Sequence, residues 1–230
     1  MKKLMSLAAL AVVGSVVAAS AQEVLSANAV GYVKRTIPAG GKFQIVSVPF
    51  VNLGSDDGSY KFSDTQIAED LPLLSEVMFW DDTAQSWITG RKTGKGWTGL
   101  PTEPIKAGEA FFIKSPEASE EPIEVTAAGE VPDDTTLTRS YVGGGEAFST
   151  ASQPYPVDVM FGDTELATTL PLLSEVMFWD VDGQSWVTAR KTGKGWQGVP
   201  DTPIQAGEGF FIKSSGAAGR WDAVKPYTWP

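Results

Sequence analysis

Apolar residues in this chain form short clusters that are separated by turn-forming residues. Residues 76–80 and 110–114 are rich in aromatic and β-branched side chains, and glycine, proline or aspartate lies next to each run. Runs of this length between turn signals are typical of strands. Residues 123–126 add the alternating pattern of a half-buried strand. The pattern therefore predicts an all-β fold with minor α content.

Two short segments carry helix signals instead. The sequences FSDTQIAEDLP (62–72) and FGDTELATTLP (161–171) each precede a strand run, and Ser63 and Asp163 are candidate N-caps. We expect one short helix in each segment.

A long internal repeat organises the chain. Residues 71–115 and 170–214 are identical at 34 of 45 positions. A spacing of about 100 residues is too long for a solenoid repeat and fits a duplicated small domain. The sequence predicts two tandem β-sandwich or barrel-like domains.

The repeat also sets the domain limits. Upstream, residues 43–50 match 148–155 more weakly, and the first copy then carries six extra residues in a Gly/Ser/Asp-rich stretch. We place the first domain at 22–129 and the second at 130–230. Residues 123–142 could finish the first domain, start the second, or do both.

The N-terminus reads as an export signal. Lys2 and Lys3 precede an apolar run over 4–18, and Ala19-Ser20-Ala21 has the small-x-small pattern of a cleavage site. The alternative is a membrane anchor, but the run is shorter than the about 20 residues that a spanning helix needs. We predict a signal peptide over 1–21, no membrane span after its cleavage, and a location outside the cell, at its surface or in the periplasm.

Composition excludes several kinds of chemistry. The chain has no cysteine and no histidine, so it has neither disulfides nor His- or Cys-based catalytic and metal sites. Its formal charge of −10 disfavours nucleic acid as a partner. We therefore predict no catalytic residue, no metal site and no enzymatic activity.

A basic and aromatic loop, RKTGKGW, occurs twice and provides the candidate ligand-binding residues. Its tryptophans could stack on sugar rings or fill a small core. Its charged residues suit either a solvated hairpin turn or contact with a carboxylate, a sulfate or a neighbouring copy. We expect Trp97 and Trp196 to be more exposed than Trp80 and Trp87, which flank a turn and should pair across it. The candidate binding residues are Arg91, Lys92, Lys95, Trp97, Arg190, Lys191, Lys194 and Trp196.

Two sets of carboxylates need separate consideration. The turns DDTA (81–84) and DVDG (180–183) offer oxygen ligands for calcium, but neither completes a calcium-loop motif. We predict no cofactor, and calcium at the second turn, where Asp182 adds a carboxylate, is the alternative. Glu76 with Glu109, repeated as Glu175 with Glu208, would serve a hydrolase only if the members converge in one cleft.

Four motifs characterise the chain: AGEAFFIKS (107–115), AGEGFFIKS (206–214), the repeated FWD…SW, and ANAVGYVKRTIPAGG (27–41). They are similar to those of a loosely defined set of secreted bacterial proteins built from tandem β-rich domains. This resemblance implies export and a β fold, and it implies no catalytic residue.

Two functions follow as hypotheses. The first is a non-enzymatic exported structural or adhesive protein that self-associates, for example by adding residues 24–33 as a strand to a neighbour's sheet edge. The second is a tandem carbohydrate-binding module in which linked sites gain avidity.

Overall fold

The computed structural model of the chain describes residues 29–228. The predicted signal peptide over 1–21 lies outside these residues. The described part is mostly β-structure and contains two short helices, which confirms the predicted fold class. In this part of the chain, no helix is long and apolar enough to cross a membrane.

The first domain packs a two-stranded ribbon and a helix against a five-stranded sheet. The sheet order is β2-β6-β3-β4-β5, and β1 pairs with β7 in the ribbon. The elements are β1 Val30–Ile37, β2 Phe43–Ser47, α1 Gln66–Asp70, β3 Glu76–Asp81, β4 Ser86–Thr93, β5 Gly96–Thr98, β6 Ala110–Lys114 and β7 Ile123–Glu130.

The second domain repeats this arrangement. Its sheet order is β9-β13-β10-β11-β12, and β8 pairs with β14. The elements are β8 Thr136–Tyr141, β9 Phe148–Ser152, α2 Glu165–Thr169, β10 Glu175–Asp180, β11 Ser185–Thr192, β12 Gly195–Gln197, β13 Gly209–Lys213 and β14 Gly219–Val224.

The helix caps differ from the predicted ones. Residues 62–64 and 161–163 form short 3-10 turns, so Ser63 and Asp163 do not begin the helices. Thr65 and Thr164 are the N-caps, and their hydroxyls accept hydrogen bonds from Ala68 and Ala167. The 3-10 turns move each helix start by one or two residues.

Residues 123–142, between the two domains, form two strands that belong to different domains. Strand β7 pairs with β1 of the first domain, and β8 pairs with β14 of the second. No strand in this segment is shared. Of residues 24–33, those over 24–28 lie outside the described part of the chain, and Val30 to Val33 pair with Glu130 to Ala127 of their own chain. Addition of this segment to a neighbour's sheet edge stays a prediction.

Both faces of each five-stranded sheet are apolar. Successive side chains of a strand point to opposite faces. Phe111 therefore lies in the core of its own domain with Val77, whereas Phe112 lies on the other face with Met78. The outer faces of the two sheets meet in a mixed cluster drawn from both domains: Phe43, Ile45, Met78, Trp80, Trp87, Ala110, Phe112, Phe148, Met177, Trp179 and Phe211.

Reciprocal ring contacts join the domains. Phe112 lies 5.1 Å from the Trp179 ring, and Phe211 lies 5.7 Å from the Trp80 ring. All these rings meet edge to face, the arrangement that aromatic pairs favour. Trp80 and Trp87 also pair across their own hairpin at 5.0 Å, as predicted.

Hydrogen bonds repeat the same reciprocity. The Trp80 indole donates to the Phe148 carbonyl at 2.9 Å, and the Trp179 indole donates to the Phe43 carbonyl at 3.0 Å. Gln85 exchanges two bonds with the Phe148 backbone, as Gln184 does with that of Phe43. The two domains are thus related by an approximate two-fold axis, and the repeated residues contact each other.

Candidate functional site

The predicted basic loops form the β4–β5 and β11–β12 turns. Lys92 does not extend into solvent, because its ammonium donates to three carbonyls at the end of α1, those of Ala68, Glu69 and Leu71. Lys191 makes the same three bonds to the end of α2. These two lysines therefore hold the helix ends.

Trp97 and Trp196 are half-buried rather than exposed. Their rings lie 4.9 Å from Phe62 and Phe161, and each indole donates to a carbonyl at its helix end. Trp80 and Trp87 are half-buried as well, so the structure does not set Trp97 and Trp196 apart as the more exposed pair. Each of the latter two rings covers the core of its own domain. A ligand role for them stays a prediction.

The other four predicted binding residues are exposed. Arg91 and Arg190 lie 3.9 Å from Glu76 and Glu175, and Lys95 and Lys194 lie at the turns. Surface ion pairs of this kind contribute little to stability. All four remain accessible to a partner.

The acidic turns have a structural use. The Asp81 carboxylate accepts bonds from the amides of Thr83 and Ala84, and that of Asp180 accepts from Asp182 and Gly183. No cluster of three or more metal-ligating side chains occurs in the described residues. The absence of a cofactor stays a prediction.

The paired glutamates do not converge. Glu76 lies opposite Lys114, at one end of β6, whereas Glu109 precedes the other end. Along the strand, Glu109 is five residues from Lys114, the residue opposite Glu76, and five strand residues span about 17 Å. The hypothesis that Glu76 and Glu109 share one cleft is therefore wrong.

A cleft of about 860 Å³ lies between the domains and includes Glu109. We name it the interdomain cleft. Its polar side chains come from both domains, and Trp80 supplies part of its apolar wall. The polar lining consists of Asp57, Asp81, Asp82, Thr83, Glu103, Lys106, Glu109, Thr138, Arg139, Ser140 and Thr150.

The two-fold axis relates this cleft to a second junction between the domains, where side chains of the two domains contact each other directly. There, Arg35 from β1 hydrogen-bonds the Gln205 side chain and lies 3.9 Å from Glu208. Arg35 and Arg139 occupy equivalent positions in the two ribbons. Arg35 lies two residues before Ile37, the last paired residue of β1, and Arg139 lies two residues before Tyr141, the last paired residue of β8.

In the interdomain cleft, the equivalent side chains do not form this hydrogen bond between the domains. Lys106 replaces Gln205 and turns to Asp57 at 3.2 Å. Arg139 donates to the Thr138 carbonyl instead of to a side chain of the other domain. The Nε atoms of Arg139 and of Arg35 are both buried without a hydrogen-bond partner in the described residues. Equivalent residues therefore join the domains at one junction and line the cleft at the other.

Side chains found in only one repeat concentrate in this cleft. Asp57 lies in the stretch of the first copy that contains six extra residues, and Asp82 has Val181 as its counterpart. Trp221 faces Arg139 in the ribbon register, where the first domain has Val125 beside Arg35. The cleft is therefore one of the places where the repeats differ in chemistry.

Two carboxylates of the cleft, those of Asp82 and Glu109, are shifted towards the protonated form, whereas hydrogen bonds from Ser59, Ser55 and Lys106 lower the pKa of the Asp57 carboxyl. Desolvation raises the pKa of Asp82 to about 6, although a hydrogen bond with Ser149 opposes the rise. Burial also raises the pKa of the Glu109 carboxyl. A hydrogen bond from the Lys106 amide and the positive charge of Arg139 oppose this rise. Desolvation lowers the pKa of Arg139. Such groups gain most from a ligand that supplies hydrogen-bond partners.

Sequence reasoning identified Glu109 but missed Asp57, Asp82, Lys106 and Arg139 as members of a common site. A signal was present for three of them. Asp82 and Lys106 are differences within a segment that is otherwise nearly identical, and Asp57 lies in the stretch where the first copy is longer. Arg139 needs the domain packing to be known.

Comparison of the chain with protein-family models, with curated proteins and with solved structures finds no match.

Proposed function

We propose that the protein is an exported, non-enzymatic binding protein that holds a carbohydrate in the interdomain cleft. One observation carries the proposal: Asp82 and Lys106, which have no charged counterpart in the second repeat, line with Arg139 a cleft between domains that repeated contacts hold together.

The chemistry of the lining favours a sugar. Carboxylates such as Asp82 and Glu109 accept hydrogen bonds, while Arg139 and Lys106 donate them. A sugar hydroxyl does both, and its C–H face suits an apolar wall such as that of Trp80. A volume of about 860 Å³ lies in the range of small-molecule sites.

Binding without turnover agrees with the side chains present. The chain has no histidine or cysteine to serve as a base or nucleophile at neutral pH. One oxygen of Glu109 accepts a bond from the Lys106 amide at 3.0 Å and so holds its own loop. Glu208 does the same with Gln205, which marks this bond as structural in both domains.

A glycan array followed by calorimetry tests the proposal. Asp82→Val and Lys106→Gln each give the cleft the residue of the second domain. Glu109→Gln keeps an acceptor for the loop but removes the charge. Loss of a hydrogen bond to a charged group costs about 1.5–3 kcal/mol, so we expect each change to weaken binding by about 10- to 100-fold.

Asp182→Asn is the matched control, because Asp182 is an exposed acid in the equivalent turn of the second domain. It should leave the affinity unchanged. Three results would count against the proposal: no glycan binds, binding is lost in Trp97→Ala and Trp196→Ala but not in the cleft variants, or the bound glycan is hydrolysed.

A structural or adhesive role is the second candidate, and a different observation favours it. Each repeat exposes a pair of leucines in an identical turn, away from the interdomain cleft. Exposed apolar surface of this kind often marks contact with another macromolecule.

A further inference from the structure

The exposed leucines lie in an unusual turn that occurs in both repeats. The side chains of Leu73, Leu74, Leu172 and Leu173 are between 53% and 58% exposed. Leu74 and Leu173 have φ values of 71° and 70°, in the left-handed region that glycine and asparagine normally occupy. Neither the core nor the backbone conformation therefore favours leucine at these positions.

Backbone bonds hold each leucine turn against its basic loop. The Leu74 amide donates to the Lys92 carbonyl at 2.8 Å, and the Leu173 amide donates to that of Lys191 at 2.8 Å. Each turn therefore belongs to one end of its own sheet. We name these ends tip 1, formed by residues 40–42, 69–75, 92–96 and 115–122, and tip 2, formed by residues 144–147, 168–174, 191–195 and 214–218.

The two tips lie at opposite ends of the molecule. In the first domain, Phe43, Lys114 and Glu76 form one row of the sheet next to tip 1. Gln184, in the hairpin turn of the second domain, contacts Phe43 in that row, and Gln85 makes the equivalent contact with Phe148 next to tip 2. Each hairpin therefore runs from its own tip to the other tip, a length of about 20 Å.

The tips share their apolar turn but differ in charge. Tip 1 carries five carboxylates, those of Glu69, Asp70, Glu117, Glu120 and Glu121, against three lysines. At tip 2, threonines replace the acids of the helix end, and SSGAA replaces the acidic loop. This leaves one carboxylate against two lysines. Tip 1 is thus net acidic and tip 2 is net basic.

We propose that tip 2 of one molecule binds tip 1 of a second copy through the leucine turns. Opposite charges favour this head-to-tail contact over a contact between two equal tips. Because the tips lie at opposite ends, a bound pair has one free tip at each of its ends, and the contact repeats into an open filament. This proposal supplies the surface for the structural role and is independent of sugar binding in the interdomain cleft.

Sedimentation of two tip variants tests the contact. In one variant, Leu73 and Leu74 become asparagine, and in the other Leu172 and Leu173 do. Asparagine suits the left-handed backbone, so both variants should fold. We expect the average mass of the wild type to exceed twice that of the monomer at high concentration and about 0.02 M salt, and to fall at about 0.5 M salt. Each variant alone should remain monomeric.

An equal mixture of the two variants provides the decisive result. A head-to-tail contact predicts pairs and nothing larger, because one free tip 1 meets one free tip 2. Leu53→Asn is the control, since Leu53 is 65% exposed and belongs to neither tip; it should assemble as the wild type does. The proposal is overturned if the wild type stays monomeric at low salt, if either variant forms dimers alone, or if the mixture forms none.

Discussion

At the scale of single residues, one methyl group breaks the symmetry of the interface. Ala110 and Gly209 occupy equivalent positions in the two repeats and face each other across the two-fold axis. A Cβ atom at position 209 would lie 2.2 Å from the Ala110 Cβ and 3.0 Å from Ile45. Space, and not backbone conformation, therefore requires glycine at one of the two positions.

Gly209→Ala should lower the free energy of unfolding by about 1–3 kcal/mol, because it overpacks a tight contact. Adding Ala110→Gly should restore most of the loss by returning the missing space. Urea unfolding measures both. Gly193→Ala is the control, since nothing lies within 4 Å of a Cβ there. Equal stability of Gly209→Ala and this control would contradict the described packing.

At the scale of elements, the two helices are too short to form alone. Each has five residues, far fewer than an isolated helix needs in water. A threonine caps the start, and a lysine from the neighbouring sheet closes the end through three carbonyls. The repeated RKT sequence is thus explained in part by the repeated helix.

Lys191→Met should destabilise the second domain by about 1.5–3 kcal/mol, because methionine retains the apolar stem but leaves the helix-end carbonyls without their charged donor. Lys194→Met, at the exposed turn, should change stability by less than about 0.5 kcal/mol. Urea unfolding distinguishes them. Equal effects of the two substitutions would remove the structural assignment of Lys191.

Local elements could be predicted from the sequence, because their signals are local. The alternating runs and turn residues identified the strands, and the flanking positions of Trp80 and Trp87 identified their pairing. The helix caps were missed by one or two residues because 3-10 turns precede the helices. The unbroken apolar runs, such as Val77 to Trp80, carried a further signal: such runs are typical of strands buried on both faces.

At the scale of the whole molecule, packing of the repeats against each other explains much of their identity. Trp80, Gln85 and Phe112 contact the second domain as their counterparts contact the first, so a change in one repeat affects both domains. The interdomain cleft could not be predicted in this way. It depends on the docking of β8 against the loop before β6, which local patterns do not encode.

Native-state hydrogen exchange at four amides tests the locked pairing of the domains most directly. Ser47 and Ser152 donate to carbonyls of the other domain at 2.9 and 3.0 Å, and Phe43 and Phe148 donate to Gln184 and Gln85 at 2.7 Å. These amides should exchange within about tenfold of the central β6 amides, because the interface opens only when a domain unfolds. Exchange about a thousandfold faster than in β6 would mean that the domains separate while folded, and would contradict the account.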